Sequence, residues 1–135
     1  MDLEILKIAS NTENHKILDN FSHSSKQKNP LCGDEMLISL KVSNNKILDF
    51  AYQCKSCIYC QASVSLLSRK SINKSIESIN KLIKFVEIFF DKDGLIFPKE
   101  WSIFKKLFDK KNSSRKECLT LPFKTLSKAL KISNE

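Results

Sequence analysis

MLISLKVSNNKILDFAYQC, residues Met36 to Cys54, is the stretch on which the fold turns. Met36, Ile38, Leu40 and Val42 occupy alternate positions, and so do Leu48, Phe50, Tyr52 and Cys54. Alternation of apolar residues is the signature of a strand with one buried face. Ser43-Asn44-Asn45-Lys46 separates the two runs, and asparagine tolerates the left-handed backbone of a tight turn. The stretch therefore predicts an antiparallel hairpin. A two-residue loop at Asn44-Asn45 sets Cys32 opposite Cys57. A three-residue loop, Asn44 to Lys46, sets Met36, Ile38, Leu40 and Val42 against Cys54, Tyr52, Phe50 and Leu48. Cys32 then lies opposite Ile58, one step from Cys57. A slip of one residue exchanges the faces, so the second register is preferred. Both registers bring Cys32 and Cys57 to the open end of the hairpin.

Outward from the hairpin the pattern is helical. Leu3 to Ser10 is a short amphipathic helix candidate. Asn11 to Asn29 is polar except for Ile17, Leu18 and Phe21, and holds either an edge strand or a loop. Ile58 to about Lys70 reads as a helix capped at Ser56 or Cys57. A second helix runs from about Lys74 to Phe90, with Ile76, Ile79, Ile83, Val86 and Phe90 at spacings of three and four. Pro98 opens a third, carrying Trp101, Phe104 and Phe108. Lys110 to Ser114 reads as a polar linker, and a last helix covers roughly Thr120 to Lys131, with Pro122 in its first turn. Helix, hairpin, then several helices predict an α+β fold: a small antiparallel sheet of about three strands with helices packed on it.

The chain has 135 residues, which fits one domain spanning 1–135. No apolar run approaches the ~20 residues of a membrane span, and the N-terminus lacks the pattern of a secretory signal. A cytoplasmic protein is expected. Net charge is +8, carried almost wholly by lysine, with Arg69 and Arg115 the two arginines. Arginine makes the commonest base-specific contact, so solvated lysines are favoured over a nucleic-acid footprint.

Five cysteines, an odd number, suit a reducing compartment, where clustered thiols read first as metal ligands. Asp34 is two residues from Cys32, so both can point to one side of an extended chain. Gly33 between them permits an unusual turn. Cys57 and Cys118 each stand before a predicted helix, where the dipole and open amide groups favour thiolate. Three thiolates and one carboxylate make a four-ligand set for zinc or iron. Cys54-x2-Cys57-x2-Cys60 is superficially like a ferredoxin run, but position 64 is Val where a fourth Cys is needed. Cys54 falls on the apolar strand face and reads as core. Cys60 lies within a helical turn of Cys57 and is open between core and site.

Three ordered motifs make a family resemblance. Asn29-Pro30-Leu31-Cys32-Gly33-Asp34 is similar to the NPxCGD motif of the NifU/IscU/SufU-type iron–sulfur cluster assembly scaffolds. Ser56-Cys57 followed by Ala62-Ser63-Val64-Ser65 resembles their second motif. Arg115-Lys116-Glu117-Cys118, then Leu121-Pro122-Phe123 and Thr125-Leu126, resembles the third. The resemblance implies a SufE/NifU-like fold and a scaffold or carrier, not an enzyme. It implies that Cys32, Asp34, Cys57 and Cys118 hold iron and a [2Fe–2S]-type cluster, or zinc. It further implies that sulfur comes from a pyridoxal-phosphate-dependent cysteine desulfurase of the NifS/SufS kind, and that the cargo goes to recipient apo-proteins. The long separation of Cys57 from Cys118 looks like the SufU subtype, in which Cys118 would be the persulfide carrier. The chain departs from the family at Ser56, where Gly is usual, and keeps only Asn11 and Asn14 of the N-terminal signature. Three other readings remain: a zinc-dependent sulfur acceptor that builds no clusters, a structural zinc module binding nucleic acid through lysines, and a redox protein using Cys54-x-x-Cys57. The last lacks the βαβ context of such motifs.

Overall fold

The computed structural model describes residues 2–31 and 33–132. Helix α1 (Leu3–Ala9) begins at Asp2, whose carboxylate accepts the Glu4 N–H at 2.9 Å. Strands β1 (His23–Lys28), β2 (Glu35–Ser43) and β3 (Lys46–Lys55) form one antiparallel sheet in the order β1-β2-β3. Helices α2 (Ile58–Ser71) and α3 (Ile76–Phe89) follow. Two 3₁₀ segments, Lys99–Lys106 and Lys110–Arg115, lead into α4 (Lys116–Ile132). Helix α4 packs on β1 and β2, α2 on β3 and α4, α1 on α2, and α3 on α4. This is the expected α+β fold, a three-stranded antiparallel sheet with helices packed against it.

The hairpin combines both registers read from the sequence. Met36 pairs with Cys54, Ile38 with Tyr52 and Leu40 with Phe50. The turn, however, is the two-residue one. Asn44 and Asn45 have φ of 51° and 62°, the left-handed pair whose twist suits a hairpin. A bulge reconciles the two: Lys41 pairs with Asp49 but Val42 with Ile47, which leaves Leu48 as the extra residue. Leu48, expected on the buried face, is consequently 45% exposed, and Ile47 takes the buried place instead.

Asn11 to Asn29 holds an edge strand, one of the two forms expected of it, but the strand lies beyond the apolar spot, whose Ile17 and Phe21 side chains are exposed. Strand β1 starts at His23 and turns His23 and Ser25 inward, so it carries no apolar alternation to betray it. The segment after Pro98 is 3₁₀ rather than α. A kink at Trp101 (φ −112°, ψ 16°) breaks it, and Trp101, Phe104 and Leu107 are all buried. Phe104 and Phe108 meet the α4 residue Phe123 at ring separations of 5.8 and 5.4 Å, which joins this segment to the last helix.

Helix α4 starts before Thr120. Asp109 caps the preceding 3₁₀ turn, accepting the Lys111 N–H at 3.0 Å, and helical structure runs on from there. Lys110–Arg115 is therefore not a linker, Cys118 sits inside the first turn of α4, and Pro122 lies within the helix. Among the described residues, no helix is long and apolar enough to cross a membrane.

Candidate metal centre

The loop from β1 to β2 delivers Asp34. Asn29 organises it: its side-chain oxygen accepts the Leu31 N–H at 2.9 Å and its carbonyl accepts the Gly33 N–H at 2.8 Å. Gly33 has φ of +78°, a conformation that side-chain-bearing residues rarely adopt. The Asn29 N–H then donates to the Asp34 carbonyl at 2.8 Å, which closes the loop just before β2. The expected ligand Cys32 lies outside the described residues.

Glu35 and Lys55 are paired at the open end of the hairpin, so Asp34 and the residues after Lys55 leave the sheet side by side. Cys57 follows as the extended N-cap residue of α2 and makes no side-chain cap bond. The third member, Cys118, arrives from the far end of the chain. The fully buried Ser63 hydroxyl on α2 donates to the Leu119 carbonyl on α4 at 2.7 Å, which sets one helix against the other beside Cys118.

One carboxylate oxygen of Asp34 and the sulfurs of Cys57 and Cys118 all lie within 4.8 Å of one another. Asp34 is 7% and Cys118 6% exposed, and Cys57 is half-buried. Asp34 Oδ2 is buried with no hydrogen-bond partner among the described residues. A buried carboxylate oxygen in that state costs free energy unless something positive completes it. Donors around a tetrahedral metal sit somewhat under 4 Å apart, so closing on an ion asks for movement of at most about 1 Å. The donor set fits zinc or iron.

Cys54 and Cys60 stand apart from this group. Cys60 is wholly buried, and burial pushes its thiol far above the ordinary range. Cys54, half-buried on the inner strand face, is also raised, first by burial and then by the Asp34 charge, with the Ser56 hydroxyl acting the other way. Both are core thiols held protonated.

Residues outside the gathered group do the positioning. Besides Ser63, the Ser65 hydroxyl donates to the Asn11 carbonyl at 2.7 Å, and Asn14 Nδ2 donates to Ser68 Oγ at 3.0 Å. The two asparagines of the N-terminal segment thus anchor it to α2. The signal was available: serines at 63, 65 and 68 inside a helix otherwise apolar at those positions need buried partners. Arg115 is a second residue with no role foreseen. Its guanidinium lies over the Tyr59 ring, 5.2 Å from the centroid.

A small α+β chain that gathers a buried carboxylate and two thiols at one end of its sheet has the build of a metal or cluster carrier. Residues 2–132 match the NifU-like N terminal domain model, and the chain belongs to that family, whose iron–sulfur cluster assembly scaffolds are carriers and not enzymes. It is 30% identical to the iron–sulfur cluster assembly scaffold protein IscU of Thermotoga maritima, over 94% of this chain and 89% of that protein. The fold superposes on the N-terminal NifU-like protein of Brucella abortus with a TM-score of 0.90 at 20% identity, covering 98% of this chain and 93% of the other. It superposes equally on FiSufU of Fervidobacterium islandicum, a candidate scaffold for the SUF system, with a TM-score of 0.89 at 24% identity and coverage of 97% and 96%.

Proposed function

We propose that this chain, acting as one domain over 1–135, assembles a [2Fe–2S]-type cluster on Cys32, Asp34, Cys57 and Cys118. The sulfur comes from a pyridoxal-phosphate-dependent cysteine desulfurase, and the finished cargo passes to recipient apo-proteins in the cytoplasm. The observation that carries this reading is the convergence of Asp34, Cys57 and Cys118 within 4.8 Å around an unpartnered carboxylate oxygen. Thiolates suit iron and zinc, and an oxygen ligand is the hard, weak member that lets a cluster leave. Cys118 is the proposed persulfide carrier. The helices between Cys57 and Cys118 favour a SufU-like member.

The same donor set suits zinc, so a zinc-dependent sulfur acceptor is the second reading. Protein purified without oxygen, analysed for metal and sulfide and then given sulfur by a cysteine desulfurase, separates the two. Iron and sulfide in equal amounts are expected after reconstitution. Full metal retention in the Cys32→Ser, Cys57→Ser and Cys118→Ser variants alike would sink both readings.

A further inference from the structure

The two edges of the sheet are unlike. At the β3 edge the chain closes the ladder at both ends: His15 bridges to Tyr52, whose N–H donates to the Asn14 carbonyl at 3.0 Å, and Ser75 bridges to Lys46. Strand β1 pairs with β2 alone, and α4 covers its inner face. Among the described residues, no backbone–backbone hydrogen bond ties residues 24–28 to anything but β2. Alternate residues of β1 therefore turn both N–H and C=O toward an open side, where another strand can pair.

The side chains decide what fits there. Lys26 and Lys28 stand two apart, so they share the outer face, and both are exposed. Neither belongs to an ion pair among the described residues. Glu35, opposite Lys28 in β2, is also opposite Lys55 in β3, so the edge keeps a positive balance. A second copy of this chain suits the edge badly. Two paired β1 strands would crowd four lysines along one short ladder, and like charges across a ladder destabilise it. Carboxylates at alternate positions reverse that sign.

We propose that β1 is a docking edge for an extended acidic segment of a partner protein, which adds a fourth strand with its carboxylates beside Lys26 and Lys28. Main-chain bonds to the open side supply affinity, and the alternating carboxylates set register and selection. The strand ends at Lys28, next to Asn29, which organises the loop that carries Asp34. A segment seated on β1 therefore brings its owner alongside the gathered group without filling it. The inference is independent of what that group carries.

The test uses the full-length protein and a labelled peptide, Thr-Val-Glu-Thr-Glu-Val-Thr, followed by fluorescence anisotropy at low salt. Its sequence reads the same in both directions, so it serves a parallel or an antiparallel neighbour. It should bind at least about tenfold tighter than the peptide with both Glu replaced by Lys. The Lys26→Glu/Lys28→Glu double variant should reverse that preference. Amide hydrogen exchange should slow in the β1 segment when the acidic peptide binds. Two further peptides, N-methylated at alternate amides, separate strand pairing from simple charge attraction on the wild-type protein. One set of amides faces β1, so one peptide should lose binding and the other keep it. Equal binding of the two methylated peptides, unchanged exchange at β1, or no preference for Glu over Lys overturns the proposal. Loss of peptide binding as the protein dimerises at high concentration would give the edge to a second copy and overturn it as well.

Discussion

The Ser63 hydroxyl donates to the Leu119 carbonyl at 2.7 Å in the fully buried contact between α2 and α4. This bond joins the helix capped by Cys57 to the helix that carries Cys118, and so it sets how two of the three gathered side chains meet.

Ser63→Ala leaves the buried Leu119 carbonyl without that donor, at a cost of about 1–3 kcal/mol. Zinc affinity should fall further than the stability loss alone dictates, because the Cys57–Cys118 spacing is released. Denaturant titration of the apo-protein beside a competitive zinc titration measures both.

Asp34→Ala removes a buried carboxylate oxygen that has no partner among the described residues. The apo-variant should melt no lower than wild type, since an orphaned buried charge is a cost and not a support. Its reconstituted cluster should persist longer under chelator, followed by visible absorbance, because the hard ligand is gone. Faster cluster loss would contradict the role given to Asp34.

Cys60 is raised by burial from a starting value of 9.0, so the folded state keeps its proton where the unfolded chain releases it. The unfolded state then binds fewer protons, and stability falls as pH rises above about 9. Cys54 acts in the same direction. Urea midpoints of the apo-protein at pH 7 and pH 10 should show this decline, with a shallower one in Cys60→Ala. In native protein, iodoacetamide should label Cys57 well before Cys60.

The bulge makes adjacent residues unequal. Ile47→Ala, in the core, should cost about 2–5 kcal/mol. Leu48→Ala, half-exposed on the extra residue, should cost below about 1 kcal/mol. Equal losses on chemical denaturation would mean that the strand runs without the bulge.

Much of this fold was legible because its signals are local. The alternation of Met36, Ile38 and Leu40 against Cys54, Tyr52 and Phe50 carried the hairpin register, and the spacings along α2 and α3 carried their buried sides. Strand β1 was illegible because its inward residues, His23 and Ser25, are polar. The start of α4 was illegible because Asp109, well upstream of the apolar pattern, caps the helical run that leads into it.

The site divides along the same line. Asp34 and Cys57 flank the two ends of one hairpin, so their meeting follows from strand pairing that the chain writes within a few residues of each. Cys118 comes to them only through tertiary packing: the Phe104, Phe108 and Phe123 cluster seats α4, and Ser63 holds it against α2. Those contacts link residues far apart in the chain, and no local period encodes them. The Arg115 guanidinium reaches the Tyr59 ring by that same placement of α4.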